Sequence, residues 1–393
     1  MKQEYRTCRI ADIAEKVAMG PFGSNIKVET FVPAGVPIIS GAHLKGFYLE
    51  ENDFNFITEE HAQRLKNAIV YPGDIIFTHA GNVGQAAMIP YNCHYPFYMI
   101  SQRQFYLRCN KEKVLPEYLT YYFHSYEGLG KLLSNVSQVG VPSIAQPSSF
   151  LKTIEIPLPS LDVQRRIVNV LDSFTKKIEV NNQINQNLEE QAFSVYNNLC
   201  NEAKQQCELN SIAVLNPLRS LQKGTVALCV DMAQLSTSSA YPNPGIYKSY
   251  GGGMKFQNGD TLLARITPCL ENGKTAYIDF LKDGEVAFGS TEYIVLSSRG
   301  KMPPQFFYCL ARDKRFRDYA TKHMNGSSGR QRVSADALEK YMIPSISEED
   351  MKQFGQNVEP LFRLMRQKAD ENIRLSSLRD TLLPKLISGE INI

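Results

Sequence analysis

Several features are missing from this sequence, and each absence excludes a class of protein. No apolar run approaches the roughly 18 residues that a helix needs to cross a bilayer, so we expect no membrane association. The eight cysteines stand at 8, 93, 109, 200, 207, 229, 269 and 309 without a CxxC pair or a histidine cluster, so we expect reduced thiols and no metal site. The first twenty residues carry charges and lack an apolar centre, which predicts no signal peptide. Together these absences predict a soluble protein of the cytoplasm.

Motifs of nucleotide-using enzymes are absent as well. The chain has no NPPY- or DPPF-type motif, which an adenine N6-methyltransferase needs to hold its flipped base, and no GxxxxGK[ST] phosphate loop. Gly128-Leu129-Gly130 lacks the third glycine of a dinucleotide fingerprint, and we interpret it as a plain turn. We therefore expect no catalytic site and no enzyme activity in this chain.

Charge is nearly balanced. Lysine and arginine number 43 and aspartate and glutamate 40, for a net charge of +3. A chain that bound phosphates without selectivity would usually be more basic, so the composition permits nucleic-acid binding without indicating it. The length of 393 residues accommodates two domains of ordinary size and connecting helices.

The chain repeats itself at an interval of about 187 residues. Ile156-Pro157 opens the phrase IPLPSLDVQRRIVNVLDSF, and Ile343-Pro344 opens IPSISEEDMKQFGQNVEPLF. Gly73-Asp74 likewise has a counterpart in Gly259-Asp260. Two copies of a long unit, each a globular domain followed by a helix, are typical of a protein that reads two related things at a fixed distance.

Each copy ends in a segment with helical periodicity. A 3.5-residue apolar repeat requires a partner helix, and the simplest partner is the other copy in an antiparallel arrangement. The predicted seam of this helix pair comprises Ile167, Leu171, Phe174, Ile178, Leu188, Val195 and Leu199 in the first copy and Phe354, Val358, Leu361, Met365, Leu375 and Leu382 in the second.

Polar residues interrupt the middle of the seam. Asn181 and Asn185 in the first copy would face Lys368 and Asn372 in the second. Such residues cost stability but can fix register and orientation. The alternative is a loosely packed, hydrated middle without a specifying role.

The helix ends carry their own signals. Asp162 and Ser347 are predicted N-caps. Gly355 and Pro360 predict a kink or a short separate helix before Leu361, and Pro384 predicts a kink or an end.

The predicted organisation is a first recognition domain at 1–158, a central spacer helix at 159–200, a second domain at 201–345 and a C-terminal spacer helix at 346–393. The fold class is α+β: two repeated mixed α/β domains joined by two long antiparallel coiled-coil helices, with pseudo-two-fold symmetry. Duplex DNA offers a matching two-fold symmetry, and because the domains differ in sequence, their half-sites should differ as well. Tyr118, Tyr121 and Tyr122, at helical spacing, are predicted to be core residues.

Several phrases of the chain resemble those of the specificity subunit of type I restriction–modification systems. They are IPLPSLDVQRRIVNVLDSFTKKIE, GDIIFTHAGNVGQ at 73–85, GDTLLARITPCLENGK at 259–274 and LRDTLLPKLISGEI at 378–391. The resemblance covers nearly the whole chain. It implies a non-catalytic subunit that binds a split, asymmetric site in double-stranded DNA, one half per domain, with the paired helices setting the gap.

The same resemblance implies partners and cofactors. Two modification subunits would dock on the chain and use S-adenosylmethionine to methylate one adenine in each half-site. Two restriction subunits, in systems that have them, would add cleavage that depends on ATP and Mg²⁺. The chain itself would bind no cofactor.

Candidate DNA contacts are polar or basic side chains on loops, since Asn and Gln suit adenine and Arg suits guanine in the major groove. The alternatives are ordinary solvated turns or phosphate contacts that position without specifying, and for His79 a buried, hydrogen-bonded ring. The candidates are Ser24, Asn25, Lys27, Thr78, His79, Asn82, Gln85, Gln102 and Arg103 in the first domain, and Arg265, Thr267, Asn272, Lys274, Ser327, Ser328, Arg330, Gln331 and Arg332 in the second.

The segment NGSSGRQR at 325–332 is the best candidate because it is small-residue-rich and basic, whereas its counterpart SQVGVPS at 137–143 carries no charge. This difference predicts unequal affinities for the two half-sites. A different class of function, a coiled-coil interaction scaffold with two end modules, would show little of the salt dependence that phosphate contacts produce.

Overall fold

The computed structural model describes residues 5–22, 25–137, 140–202, 205–327 and 329–393. The chain divides into two compact units. Unit 1 comprises Met1–Lys176 and Ser376–Ile393, and unit 2 comprises Lys177–Leu375. Each unit therefore contains one globular domain and one end of each of two long helices. Among the described residues, no helix combines the length and the apolar character needed to cross a membrane.

The described part of unit 1 contains short strands and helices. The strands are β1 (Arg6–Arg9), β2 (Ala14–Met19), β3 (Val36–Ile39), β4 (Asn55–Ile57), β5 (Ile69–Val70), β6 (Ile75–Thr78), β7 (Ala86–Met88), β8 (Tyr98–Ile100), β9 (Gln104–Cys109), β10 (Val136–Ser137), β11 (Ser143–Ile144) and β12 (Glu155–Leu158). The helices are α1 (Ile10–Ile13), α2 (Glu59–Arg64), α3 (Pro116–His124), α4 (Tyr126–Leu133), α5 (Pro147–Thr153) and the start of α6 (Leu161–Glu202).

The described part of unit 2 follows the same plan. The strands are β13 (Gln206–Glu208), β14 (Ala213–Leu215), β15 (Val226–Val230), β16 (Ile246–Ser249), β17 (Lys255–Phe256), β18 (Thr261–Ala264), β19 (Thr275–Tyr277), β20 (Ala287–Gly289), β21 (Tyr293–Ser298) and β22 (Met342–Pro344). The helices are α7 (Gln305–Arg312), α8 (Lys314–Lys322), α9 (Ala335–Glu339) and α10 (Glu348–Ile387).

Two four-stranded sheets form the centre of each globular domain. Their strand orders are β2-β9-β6-β7 and β4-β3-β8-β5 in unit 1, and β14-β21-β18-β19 and β16-β15-β20-β17 in unit 2. One neighbouring pair in each second sheet is parallel, β3 with β8 and β15 with β20. The identical order and direction show that the sequence repeat is a repeat of fold, and the α+β class is confirmed.

The repeated Gly-Asp pairs form a turn before a central strand. Gly73 has a φ of +90° and Gly259 a φ of +88°, which glycine tolerates because it has no Cβ. In unit 1 the Asp74 carboxylate accepts a hydrogen bond from Tyr71 N at 2.9 Å and pairs with Arg108 at 2.6 Å. Asp260 pairs with Arg219 at 2.6 Å in the same way. The motif therefore stabilises the turn and is structural.

Apolar and aromatic side chains fill the space between sheets and helices. All four residues of β6 and all four of β18 are buried, because helices or the second sheet cover both faces of the central sheet. Tyr118, Tyr121 and Tyr122 of α3 are buried in the same core, which confirms their expected role.

The two long helices run antiparallel in unit 2. Asn181 of α6 donates to Asn372 of α10. Further along α6, Tyr196 packs on Phe306, which also packs on Phe354 near the start of α10. In unit 1 the first turns of α6 share a core with the last turns of α10, the relation that an antiparallel pair requires.

The residues of the predicted seam differ in how deeply they are buried. Ile167, Leu171, Leu188, Phe354, Val358 and Met365 are buried, whereas Phe174, Ile178, Val195, Leu199, Leu361, Leu375 and Leu382 are half-buried. Tyr196, Cys200 and Phe362 are also buried. Along these parts of the helices, the most buried stripe lies one residue beyond the predicted one.

A polar layer occupies the middle of the helix pair within unit 2. The Asn181 side chain is fully buried, and its Nδ2 donates to Asn372 Oδ1 at 2.8 Å and to Glu371 Oε2 at 3.1 Å. Asn372 Nδ2 in turn donates to Asn182 Oδ1 at 2.8 Å. Lys368 pairs with Glu371 at 2.9 Å. These directional bonds connect specific positions of the two helices, as a register-fixing layer requires.

One predicted helix cap is wrong and the other is confirmed. Helix α6 begins at Leu161, so Asp162 lies inside the first turn, where it pairs with Arg165 at 3.0 Å. A carboxylate is favourable there because the helix N-terminus is electropositive. The Ser347 hydroxyl accepts from Asp350 N at 3.2 Å and caps α10.

The predicted separate helix before Leu361 and the predicted helix end at Pro384 are wrong. Helix α10 is continuous through Gly355, Pro360 and Pro384. Both prolines are exposed, so water can solvate the carbonyl that each leaves without a donor. Gly355 faces Pro303, whose Cγ would lie 3.0 Å from a Cβ at this position, so glycine permits the close approach.

Gly128-Leu129-Gly130 does not form the predicted turn. These residues lie inside α4. A Cβ at Gly128 would lie 2.0 Å from the Tyr122 carbonyl oxygen. The glycine is therefore required by the tight packing of α4 on the end of α3.

Candidate nucleic-acid interface

Three backbone segments meet at one edge of the central sheet of unit 1. They are residues 78–81 after β6, residues 101–104 before β9 and residues 142–144. His79 N donates to Arg103 O at 2.9 Å, and Ile144 N donates to His79 O at 2.9 Å. We call this crossing junction 1.

Unit 2 contains the same crossing, which we call junction 2. Its segments are residues 264–267, 290–293 and 331–333. Arg265 N donates to Glu292 O at 3.0 Å, and Val333 N donates to Arg265 O at 3.0 Å. The backbone scaffold is therefore repeated while the side chains on it differ.

A polar cleft of about 270 Å³ opens at junction 1. The buried Thr78 hydroxyl donates to Gln85 Oε1 at 3.0 Å, and Gln85 Nε2 donates to Gly41 O at 2.9 Å. Gln104 Nε2 donates to Thr78 Oγ1 at 3.3 Å. These bonds fix the orientation of the Gln85 amide, so the cleft has a defined polar lining.

Arg103 and Asn82 are the exposed members of the same cleft. Neither side chain forms a hydrogen bond or ion pair with the described residues, so both have donors available for a ligand. His79 Nε2 lies 3.1 Å from Gln102 O, which ties the half-buried ring to the backbone, while the Gln102 side chain is exposed. Junction 1 thus offers one free guanidinium beside oriented amides.

Junction 2 presents two arginines around one carboxylate. Arg332 donates to Glu292 through Nε at 2.9 Å and through Nη2 at 2.7 Å. Arg265 Nε lies 3.9 Å from the same carboxylate. Arg332 Nη1 also donates to Arg330 O at 3.1 Å. The Arg332 side chain is therefore held at both ends of its guanidinium group.

The electrostatics of junction 2 follow from these contacts. The Arg332 guanidinium, and to a smaller extent Arg265, lowers the pKa of Glu292, so the carboxylate is ionised at neutral pH. Two arginines and one glutamate leave one net positive charge. Junction 1 carries a single arginine, Arg103, so the difference between arginines and carboxylates is the same in both junctions.

The other candidates of the first domain lie on a separate loop. Asn25 Nδ2 donates to Phe22 O at 2.5 Å, and His61 Nε2 contacts Asn25 O at 2.8 Å. Lys27 is exposed and precedes a short 3₁₀ turn. Ser24 and Ser328 are outside the described residues.

The remaining candidates of the second domain are divided between buried and exposed positions. Lys274 Nζ donates to Met232 O at 2.8 Å and is engaged within the domain. Thr267 N donates to the half-buried Gln331 at 3.1 Å. Asn272, Ser327 and Arg330 are exposed.

Residues missed by the sequence analysis complete both junctions. Glu292 occupies the place of Arg103, Ser143 occupies the place of the predicted Arg332, and Gln104 closes the amide network. Aligning SQRQ at 101–104 with STEY at 290–293 would have revealed the exchange of Arg103 for Glu292. A search restricted to polar and basic residue types does not reach Glu292.

Comparisons with known proteins agree with this architecture. Residues 2–190 match the family described as the type I restriction modification DNA specificity domain. The MjaIX type I restriction enzyme specificity subunit of Methanocaldococcus jannaschii is 24% identical over all of this chain and 94% of its own length. Residues 2–190 therefore carry this DNA specificity domain, and the chain as a whole is similar to type I restriction enzyme specificity subunits. The matched domain supports a role in DNA sequence recognition.

Two further similarities involve specificity subunits of the same systems. The EcoEI type I restriction enzyme specificity subunit of Escherichia coli is 30% identical over 142 residues, which are 35% of this chain and 24% of that protein. The S subunit of a type I restriction–modification system from M. genitalium has the same fold, with a TM-score of 0.56, 15% identity and coverage of 98% of this chain and 96% of that one.

Proposed function

We propose that this chain is the non-catalytic DNA-reading subunit of its complex and that junctions 1 and 2 each read one half of a split, asymmetric site. The observation that carries the proposal is the repeated three-segment scaffold with different side chains on its two copies. A repeated scaffold suits two geometrically equivalent half-sites, and different side chains suit two different base sequences.

The chemistry of each junction favours a different set of contacts. At junction 1, Arg103 can donate to guanine, and Asn82 and Gln85 can pair with adenine edges. At junction 2, Arg265 and Arg332 can donate to guanine or phosphate, and Gln331 can pair with adenine. Asn25, Lys27, Asn272, Lys274, Ser327 and Arg330 are secondary candidates for contacts with the DNA backbone.

The long helices are the proposed measuring element. Helix α6 has 42 residues, which corresponds to about 63 Å at 1.5 Å per residue. The polar layer of Asn181, Glu371 and Asn372 would hold the two helices in one register. A fixed register is what a constant gap between half-sites requires.

The proposal assigns the chemistry to other chains. Two modification subunits would dock on this chain in the cytoplasm and use S-adenosylmethionine to methylate one adenine in each half-site. Restriction subunits, in a system that has them, would use ATP and Mg²⁺. This chain would bind none of these cofactors.

Co-expression of the chain with the modification subunit of its system tests the proposal. N6-methyladenine is then mapped across the host genome by single-molecule sequencing. The expected result is a split motif with a constant gap. An assembled complex that adds no methylation would contradict the proposal and favour an interaction scaffold. Methyl transfer by the purified chain alone would contradict its non-catalytic role.

A further inference from the structure

Glu292 occupies an unexpected place for an acidic residue. It lies within junction 2, in the position that Arg103 occupies in junction 1. Its carboxylate is 26% exposed, so DNA bound at this edge of the sheet would approach it. A negative charge beside DNA phosphates weakens binding. The carboxylate therefore needs an explanation beyond charge attraction.

The contacts of Glu292 indicate how it acts. Both carboxylate oxygens accept from Arg332, at distances between 2.7 and 3.0 Å. With Nη1 bound to the Arg330 carbonyl at 3.1 Å, the guanidinium plane has one orientation. A planar donor group that is already oriented loses less conformational freedom when it pairs with a base. Glu292 has few acceptor positions left for a direct contact with DNA.

The comparison of the two junctions supplies the second observation. Junction 2 has one arginine more than junction 1, and Glu292 restores the same net charge. The basic character that the sequence indicates for residues 325–332 is therefore offset by a residue from another segment. A compensated arginine attracts phosphates of any sequence less than a free one does.

We propose that Glu292 is a specificity-determining positioning residue. It orients Arg332 for base recognition and lowers the attraction of junction 2 for DNA of any sequence. This inference rests on the proposed function. It adds that one half-site is read by Arg332, whose guanidinium group is oriented by the Glu292 carboxylate.

The test uses Glu292→Gln, which removes the charge at nearly constant shape, in the complex of the full chain with its modification subunits. Affinity is measured for the methylated motif as a duplex, for single-base variants of each half and for an unrelated duplex, over a range of salt. Non-specific binding should tighten, and its log–log salt slope should steepen by about 0.9 for one added cation. Discrimination should fall about tenfold at one base pair of one half-site.

Two further variants separate positioning from structural damage. Arg332→Gln should lose discrimination at the same base pair, and the double variant should be no worse than Arg332→Gln because Glu292 acts through Arg332. Glu348→Gln is the matched control, since Glu348 forms an exposed pair with Lys301 in the same unit. It should leave discrimination in both halves unchanged.

The outcomes are distinguishable. Unchanged discrimination in Glu292→Gln, or an equal loss in both half-sites, would overturn this inference while the split motif of the wild type preserved the proposed function. Additive losses in the double variant would mean that Glu292 contacts DNA itself and would also overturn it. A wild-type complex without sequence-specific binding would overturn the proposed function first.

Discussion

Replacing Asp279 with asparagine should stabilise unit 2 at neutral pH. Burial raises the pKa of the Asp279 carboxyl from 3.8 to about 6, against the opposing effect of Arg366. The Tyr241 hydroxyl donates to its Oδ2 at 3.0 Å, and Arg366 Nε lies 4.0 Å from Oδ1. Oδ1 has no hydrogen-bond partner among the described residues. The folded chain therefore holds an ionised carboxylate that is poorly solvated.

The sign and size of the effect follow from proton linkage. A carboxyl with a higher pKa in the folded chain binds more protons there, so stability falls as the pH rises from about 4 to about 6 and stays level above. The difference between 3.8 and about 6 corresponds to about 3 kcal/mol at pH 7. Asparagine keeps an acceptor for Tyr241 without the charge. The variant should gain up to about 3 kcal/mol at pH 7 and almost nothing near pH 4.

Urea denaturation of the full chain, followed by circular dichroism between about pH 4 and about pH 8, measures this difference. Asp283→Asn is the control because Asp283 is exposed and has no ion pair with the described residues. The free energy of unfolding of this variant should differ from that of the wild type by less than about 0.5 kcal/mol. A gain in stability that did not depend on pH, or a loss of stability at pH 7, would refute the conclusion that Asp279 is an ionised, poorly solvated carboxylate.

Three further predictions concern the scaffold. Arg219→Ala should destabilise unit 2 by about 3–5 kcal/mol in the same denaturation assay, because Asp260 is 1% exposed and would lose its charge partner; a loss below about 1 kcal/mol would contradict this. Asn181→Leu should raise the midpoint of denaturation and make the length of the gap in the methylated motif more variable, because the polar layer no longer fixes the register of the helices. A gap of unchanged, constant length would argue against a register role. Inserting one heptad after Lys176 and one after Leu375 should lengthen the gap by about 10 Å, or roughly three base pairs, with both half-sites unchanged. An unaltered gap would mean that the helices do not measure it.

Much of the fold could be predicted because the same sequence pattern occurs twice and marks the same structural elements in both copies. The counterparts Gly73-Asp74 and Gly259-Asp260 mark the same turn before β6 and β18, and the phrases after Ile156 and Ile343 precede the two long helices. The error at Pro360 has a local cause. Proline lowers helix propensity, but the buried neighbours Val358 and Phe362 hold α10 in place.

The candidate site was less accessible to prediction. Sequence rules select residues by type, and they gave Arg103, Arg265 and Arg332 without their partners. Which of these arginines is free depends on Glu292, which is 40 residues from Arg332 in the chain. This contact follows from the pairing of β18 with β21 and from the bridge between Ile266 and Arg332, not from local periodicity.

The pairing of cations with anions also accounts for the near-neutral charge of a chain that reads DNA. A genome offers on the order of 10⁶–10⁹ competing sites, so selectivity depends on the ratio of specific to non-specific binding. Each unpaired arginine would raise the affinity for all of those sites together. With one net charge at each junction and +3 overall, discrimination must come from a few oriented donors. On the proposed function, most of the phosphate contacts that hold the complex on DNA must then be supplied by the modification subunits.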